Sequence, residues 1–232
     1  MNDPLSRYAR KGLWAIPVFA VLLAVGTINH QPPPQTQLGD WSRFVTSNEF
    51  LISHLVASIG GAIFGVVGAI ALGIVMVQRG SVRLGLWGLL TGTSAQVLLA
   101  SIFGVAAYTQ PAIGRFYLAG HTQLAQSLYY DAAQGSAMVV MASIGLLLFV
   151  ASFIVFGVAV ARIPGLPRIA GIGFAVSGPL FAVVGFALDN WIQSVAAALM
   201  IASSVWIVIS LSRRPQESTD QHRGSLASAQ AR

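Results

Sequence analysis

Few side chains in this 232-residue chain could do chemistry, and most of those lie between long apolar runs. Gln96 is the only strongly polar side chain near the middle of such a run. An amide there can act as glue between helices or bind a small neutral solute. It cannot relay a proton as a carboxylate does, and no carboxylate lies inside any run, which disfavours a proton-driven pump. His30, His54, His121, Asp40, Glu49, Asp131 and Asp189 all belong to one side of the apolar runs. Groups able to hold a metal or a haem are therefore available on one face, with His54 and His121 the first candidates. None forms a paired i, i+4 ligand motif, and Glu49 and His54, five residues apart, diverge by about 140° around a helix.

His54 also stands seven residues before Gly61, an offset of about 20° on a helical wheel, which predicts a buried, hydrogen-bonded histidine on a packed face. Asp131 follows Tyr129 and Tyr130 and is placed either to pair with Arg115 or to face water. The chain has no cysteine, which excludes disulfides, thiolate nucleophiles and cysteine metal ligands. It carries no Walker A sequence, no dinucleotide fingerprint and no HExxH, so the motifs predict neither a cofactor nor an enzyme.

The elements that must position these groups follow from composition. The chain is 55% apolar and 9% charged, whereas soluble domains carry about a quarter charged residues. Apolar runs of about 20 residues cross a bilayer as helices. Six appear: Leu13 to Ile28, Phe50 to Val77, Leu84 to Tyr108, Ala137 to Ala161, Ile169 to Leu188 and Trp191 to Leu211. The expected fold is all-α, a polytopic transmembrane bundle of six spans over residues 1–211, followed by a polar, disordered cytoplasmic tail over 212–232.

The net charge of +6 is scattered over span ends and not gathered into a nucleic-acid patch. Of the 13 lysines and arginines, only Arg43 and Arg115 fall in outer segments if the N-terminus is inside. The positive-inside rule then places both termini in the cytoplasm, with lipid as the first partner. The opening "RYARKGLWAIPVFAVLLAVGTINH" also has the layout of a signal peptide, whose removal would leave five spans.

"GGAIFGVVGAIALG", residues 60–73, is a helix candidate with five glycines. Small residues let helices approach in lipid, where van der Waals contact replaces the hydrophobic effect. Ser53, Ala57, Gly61, Gly65, Ala69 and Gly73 recur every four residues, a row that winds by about 40° per step, so no single straight partner can use it all. Gly61, Gly65, Gly68 and Leu72 form a second stripe, and the second span is expected to be the central helix. The third span repeats the device at Gly88, Gly92, Gln96, Ala100 and Gly104, and Pro179 is expected to kink the fifth.

Of the outer loops, the first holds three prolines and is expected to be extended. The second places Leu124, Leu128 and Ala132 on one stripe, the pattern of a helix on the outer interface. Trp14, Trp41, Trp87, Trp191 and the tyrosine pair read as interface anchors. An inverted three-plus-three repeat has the right parity, but the loop lengths do not mirror.

"ARIPGLPRIAGIGFAVSGPLFAVVG", residues 161–185, resembles the junction between the fourth and fifth spans of an uncharacterised bacterial family of six-span integral membrane proteins, a domain of unknown function. The resemblance implies six spans in a bacterial inner membrane and carries no active site. Three functions are consistent with these features. The first is a non-enzymatic scaffold or accessory subunit that meets other membrane subunits through exposed small-residue stripes. The second is a permease or binder for a small lipophilic or neutral solute around Gln96 and Pro179, and the third an outward metal or haem site at His54 and His121.

Overall fold

The structure is a computed structural model that describes residues 4–27, 37–185 and 190–212. Expectations for His30, Asp189, the proline run and the tail fall outside those residues. Among the described residues every regular element is helical. The elements are α1 (Pro4–Gly12), α2 (Ala15–Thr27), α3 (Leu38–Val45), α4 (Asn48–Ile52), α5 (Gly61–Gln78), α6 (Val82–Gly104), α7 (Gln110–Leu118), α8 (Thr122–Leu128), α9 (Ser136–Arg162), α10 (Arg168–Pro179) and α11 (Asn190–Ser212). Four π-helical segments, Ser53–Gly60, Val105–Thr109, Tyr129–Ala133 and Leu180–Gly185, continue α4, α6, α8 and α10.

Joined across these segments, five helices are long and apolar enough to cross a membrane: Pro4–Gly26, Asn48–Gln78, Val82–Leu118, Ser136–Arg162 and Trp191–Ser212. A sixth apolar helix, Arg168–Val184, is shorter, and residues 186–188 of the run that predicted it lie outside the described residues.

The long helices pack in chain order, α2 on α5, α5 on α6, α6 on α9, α9 on α10 and α10 on α11, and α11 returns to α2. The result is a closed ring, with α5 and α9 touching across its middle. α5 is thus a member of the ring and not a central rod, because its two small-residue rows face different neighbours.

Phenyl rings fill the interior. Phe153 stacks on Phe174 with centroids 4.5 Å apart, and Phe149 meets both Phe153 and Phe19. Where backbones cross, glycines meet. A methyl added at Gly157 would lie 2.5 Å from the carbonyl oxygen of Gly171, and one at Gly85 would lie 2.9 Å from that of Gly73. Such approach is what association without a hydrophobic driving force requires. The turns between α5 and α6 and between α9 and α10 use Gly80 and Gly165 at φ near +85° and +81°, a left-handed conformation that side chains disfavour.

A second core lies at the opposite end from these basic turns. α3, α7, α8 and the π segment after α8 enclose Trp41, Val45, Phe50, Ile113, Ala125, Tyr129 and Ala133 as a helical cap. The stretch from Val82 to Leu118 runs 37 residues, about 55 Å at helical rise, whereas hydrocarbon is about 30 Å thick. Its far end carries the cap.

Candidate functional site

The small-residue row on α5 turns from one neighbour to the next. A methyl at Gly26 of α2 would meet Ala57 Cβ at 3.3 Å, and one at Gly61 would meet Leu22 Cβ at 3.5 Å, so the row begins on α2. By Gly65 it faces Gln96 of α6, and a methyl at Gly92 of α6 would lie 2.9 Å from Ala69 Cβ. Gly73 then faces Leu89 and Gly85 of α6. Gly68, seven residues after Gly61, faces Ile16 and returns to α2. The drift of a four-residue row around an α-helix has this effect in physical form.

On α6, Gly88 and Gly92 receive the ring of Phe156 from α9, with the nearest ring atom 2.5 Å from a methyl built at Gly88. All six of Ala57, Gly61, Gly65, Gly68, Gly88 and Gly92 are buried against helices of the same chain. No stripe formed by these six remains exposed for another subunit.

Gln96 lies at the centre of the ring with only 5% of its surface exposed. Its side chain lies flat over Gly65, where a methyl would come 2.5 Å from Cδ and 2.8 Å from Oε1. It lines a cavity of about 30 Å³ together with Gly65, Gly68, Gly92, Ser152 and phenyl rings of α2, α9 and α10. Pockets that hold small molecules measure roughly 300–1,000 Å³. The centre of this ring accommodates about one water.

His54 is buried in the π segment Ser53–Gly60. Its Nδ1 lies 2.9 Å from the Phe50 carbonyl oxygen, and its ring packs on Phe50 with centroids 4.1 Å apart. His121 is exposed at the start of α8, edge-on to Phe116. Asp131 is exposed and accepts a 3.0 Å hydrogen bond from the Ser127 hydroxyl. It makes no ion pair with Arg115; among the described residues the ion pair is Arg43 with Asp40. Among the described residues no group of three or more His, Asp or Glu could hold a metal ion.

Two anchor assignments are corrected. Trp41 is 2% exposed and packs edge-on against Tyr129, which is also buried, with centroids 5.0 Å apart. Both belong to the cap core. Trp14, Trp87, Trp191 and Tyr130 are exposed, as anchors must be. The α8 stripe is corrected as well: the buried row is Ala125, Tyr129 and Ala133, one residue beyond the predicted one, while Leu124 and Ala132 are exposed. Two alanines let α8 approach the cap, and a tyrosine reaches Trp41.

Ser42 is the cap residue the sequence did not single out. It is fully buried where α3 crosses α7, and a methyl at Gly114 would lie 3.0 Å from its carbonyl oxygen. Its hydroxyl has no hydrogen-bond partner among the described residues.

No protein-family profile, curated protein or solved structure matches this chain. The resemblance of residues 161–185 to a six-span family therefore rests on those residues alone.

Proposed function

We propose that the protein is a six-span, non-enzymatic scaffold or accessory subunit of the inner membrane, with both termini in the cytoplasm, which engages another membrane subunit through its cap. The observation that carries this reading is the closed ring. The predicted packing residues are occupied by the chain's own side chains, and among the described residues the cap offers a partner an outer face with exposed Leu124 and Tyr130. This changes the mode of association first expected, from exposed glycine stripes to an extramembrane face.

The charge distribution supports the orientation. Arg7, Arg10, Lys11, Arg79, Arg83, Arg162 and Arg168 share the end opposite the cap, and the cap holds Arg43, already paired with Asp40, and Arg115. The shorter helix Arg168–Val184 serves as the fifth of six spans, because it lies in the ring between α9 and α11 and spans about 25 Å. The cavity beside Gln96 is about a tenth of the smallest solute pockets, which weighs against the permease reading.

Because the chain has no cysteine, each introduced thiol is unique. In intact cells an impermeant maleimide should label Gln123→Cys in the cap and spare Gln78→Cys at the basic end. The reverse pattern overturns the orientation. Extraction in gentle detergent should give a complex heavier than one chain, lost when Leu124→Glu and Tyr130→Glu charge the exposed cap face. Recovery of the unaltered protein solely as a monomer overturns the scaffold.

A further inference from the structure

We infer that the cavity at the centre of the ring is a hydration site, in which one ordered water held by the Gln96 amide and the Ser152 hydroxyl belongs to the bundle's core. Three observations carry this. The cavity measures about 30 Å³, and a space of about 10–15 Å³ already admits a water. Gln96 is buried and lines that cavity, with its amide laid over Gly65. A primary amide has two donors and an acceptor to satisfy, and in a membrane interior only a water or another polar group can satisfy them.

Ser152 supplies the second polar contact. Its hydroxyl donates to the Phe149 carbonyl at 2.8 Å, which leaves the lone pairs on Oγ as acceptors, and Ser152 lines the same cavity. A water there accepts from Gln96 Nε2–H and donates to Ser152 Oγ, linking α6 to α9. Larger neutral molecules do not fit, because Phe19, Phe153, Phe156 and Phe174 wall the space. This site is independent of the scaffold reading, since it concerns the ring and not the cap.

Brief X-ray radiolysis tests it, because hydroxyl radicals made from a bound water oxidise the side chains that touch it. The full chain in lipid nanodiscs is irradiated and the products are mapped by mass spectrometry. Phe153 and Phe156 should be hydroxylated despite burial, and that yield should fall several-fold in Gln96→Leu and in Ser152→Ala. Exposed Trp87 should be oxidised equally in all three proteins, which normalises the dose, and buried Trp41 of the cap should stay protected in all three, which reports that each variant keeps its fold. Unoxidised phenyl rings in the unaltered protein overturn the proposal without recourse to any variant. Equal oxidation in a folded Gln96→Leu protein overturns it as well.

Discussion

At the scale of single residues, the tightest constraint is the contact between Gly65 and Gln96. A methyl at position 65 would overlap the amide, so Gly65→Ala must push Gln96 aside or separate α5 from α6. Overpacking of this kind costs about 1–3 kcal/mol. Shortening the partner should relieve it: Gly65→Ala combined with Gln96→Ala should lose less stability than the two single changes added together. Reversible unfolding in mixed micelles measures this, and strict additivity would contradict the contact. Ser42 gives a change of opposite sign. Its buried hydroxyl has no partner among the described residues, so Ser42→Ala should be neutral or stabilising by up to about 1 kcal/mol. The small-residue faces could be read from the sequence because few other side chains tolerate such close helix approach, and the period identifies the face. Trp41 and Tyr129 could not be read this way. An aromatic residue near a span end looks the same in sequence whether it anchors at an interface or fills a small core, and only the helices packed around it decide.

At the scale of elements, the π segments mark where a regular pattern stops describing the chain. Pro179 has no N–H and its ring crowds the preceding turn, and the helix widens directly after it into Leu180–Gly185. Where the sequence predicts a kink, a wider turn follows the proline. The outer loops were hardest to read, because their helices are short and their apolar residues are alanines and scattered aromatics with little periodicity. The leucines Leu124 and Leu128 make the visible stripe, whereas helix approach in the cap depends on Ala125 and Ala133. The α3 to α7 crossing offers a test at this scale. Gly114 lies where added atoms would meet the Ser42 carbonyl, Val45 and Thr46, all at 3.0 Å. Gly114→Val should force α3 off α7 and open the cap while leaving the ring closed. Trypsin should then cut after Arg43 about five- to a hundredfold faster, the change expected from about 1–3 kcal/mol of local destabilisation. Unchanged cleavage would mean that the crossing does not hold the cap.

At the scale of the whole molecule, two cores of unequal size share one set of helices. The ring is lined by large apolar side chains from α2, α5, α9, α10 and α11 packed against the small-residue face of α6, and the cap has a handful of buried residues. A small core has little burial to set against chain entropy, so the cap should open at lower free energy than the ring. Hydrogen exchange of the full chain in nanodiscs should show α3, α7 and α8 exchanging well before α5, α6 and α9. The same measurement separates the two functional readings. A partner on the cap should slow exchange in α3, α7 and α8 and leave the helices around Gln96 unchanged, because binding stabilises the region that it covers. A solute crossing the membrane would have to open the ring, because a cavity of about 30 Å³ admits no more than a water or two. Exchange around Gln96 and Phe156 would then change while the cap stayed as it was, and that outcome would replace the scaffold with a carrier.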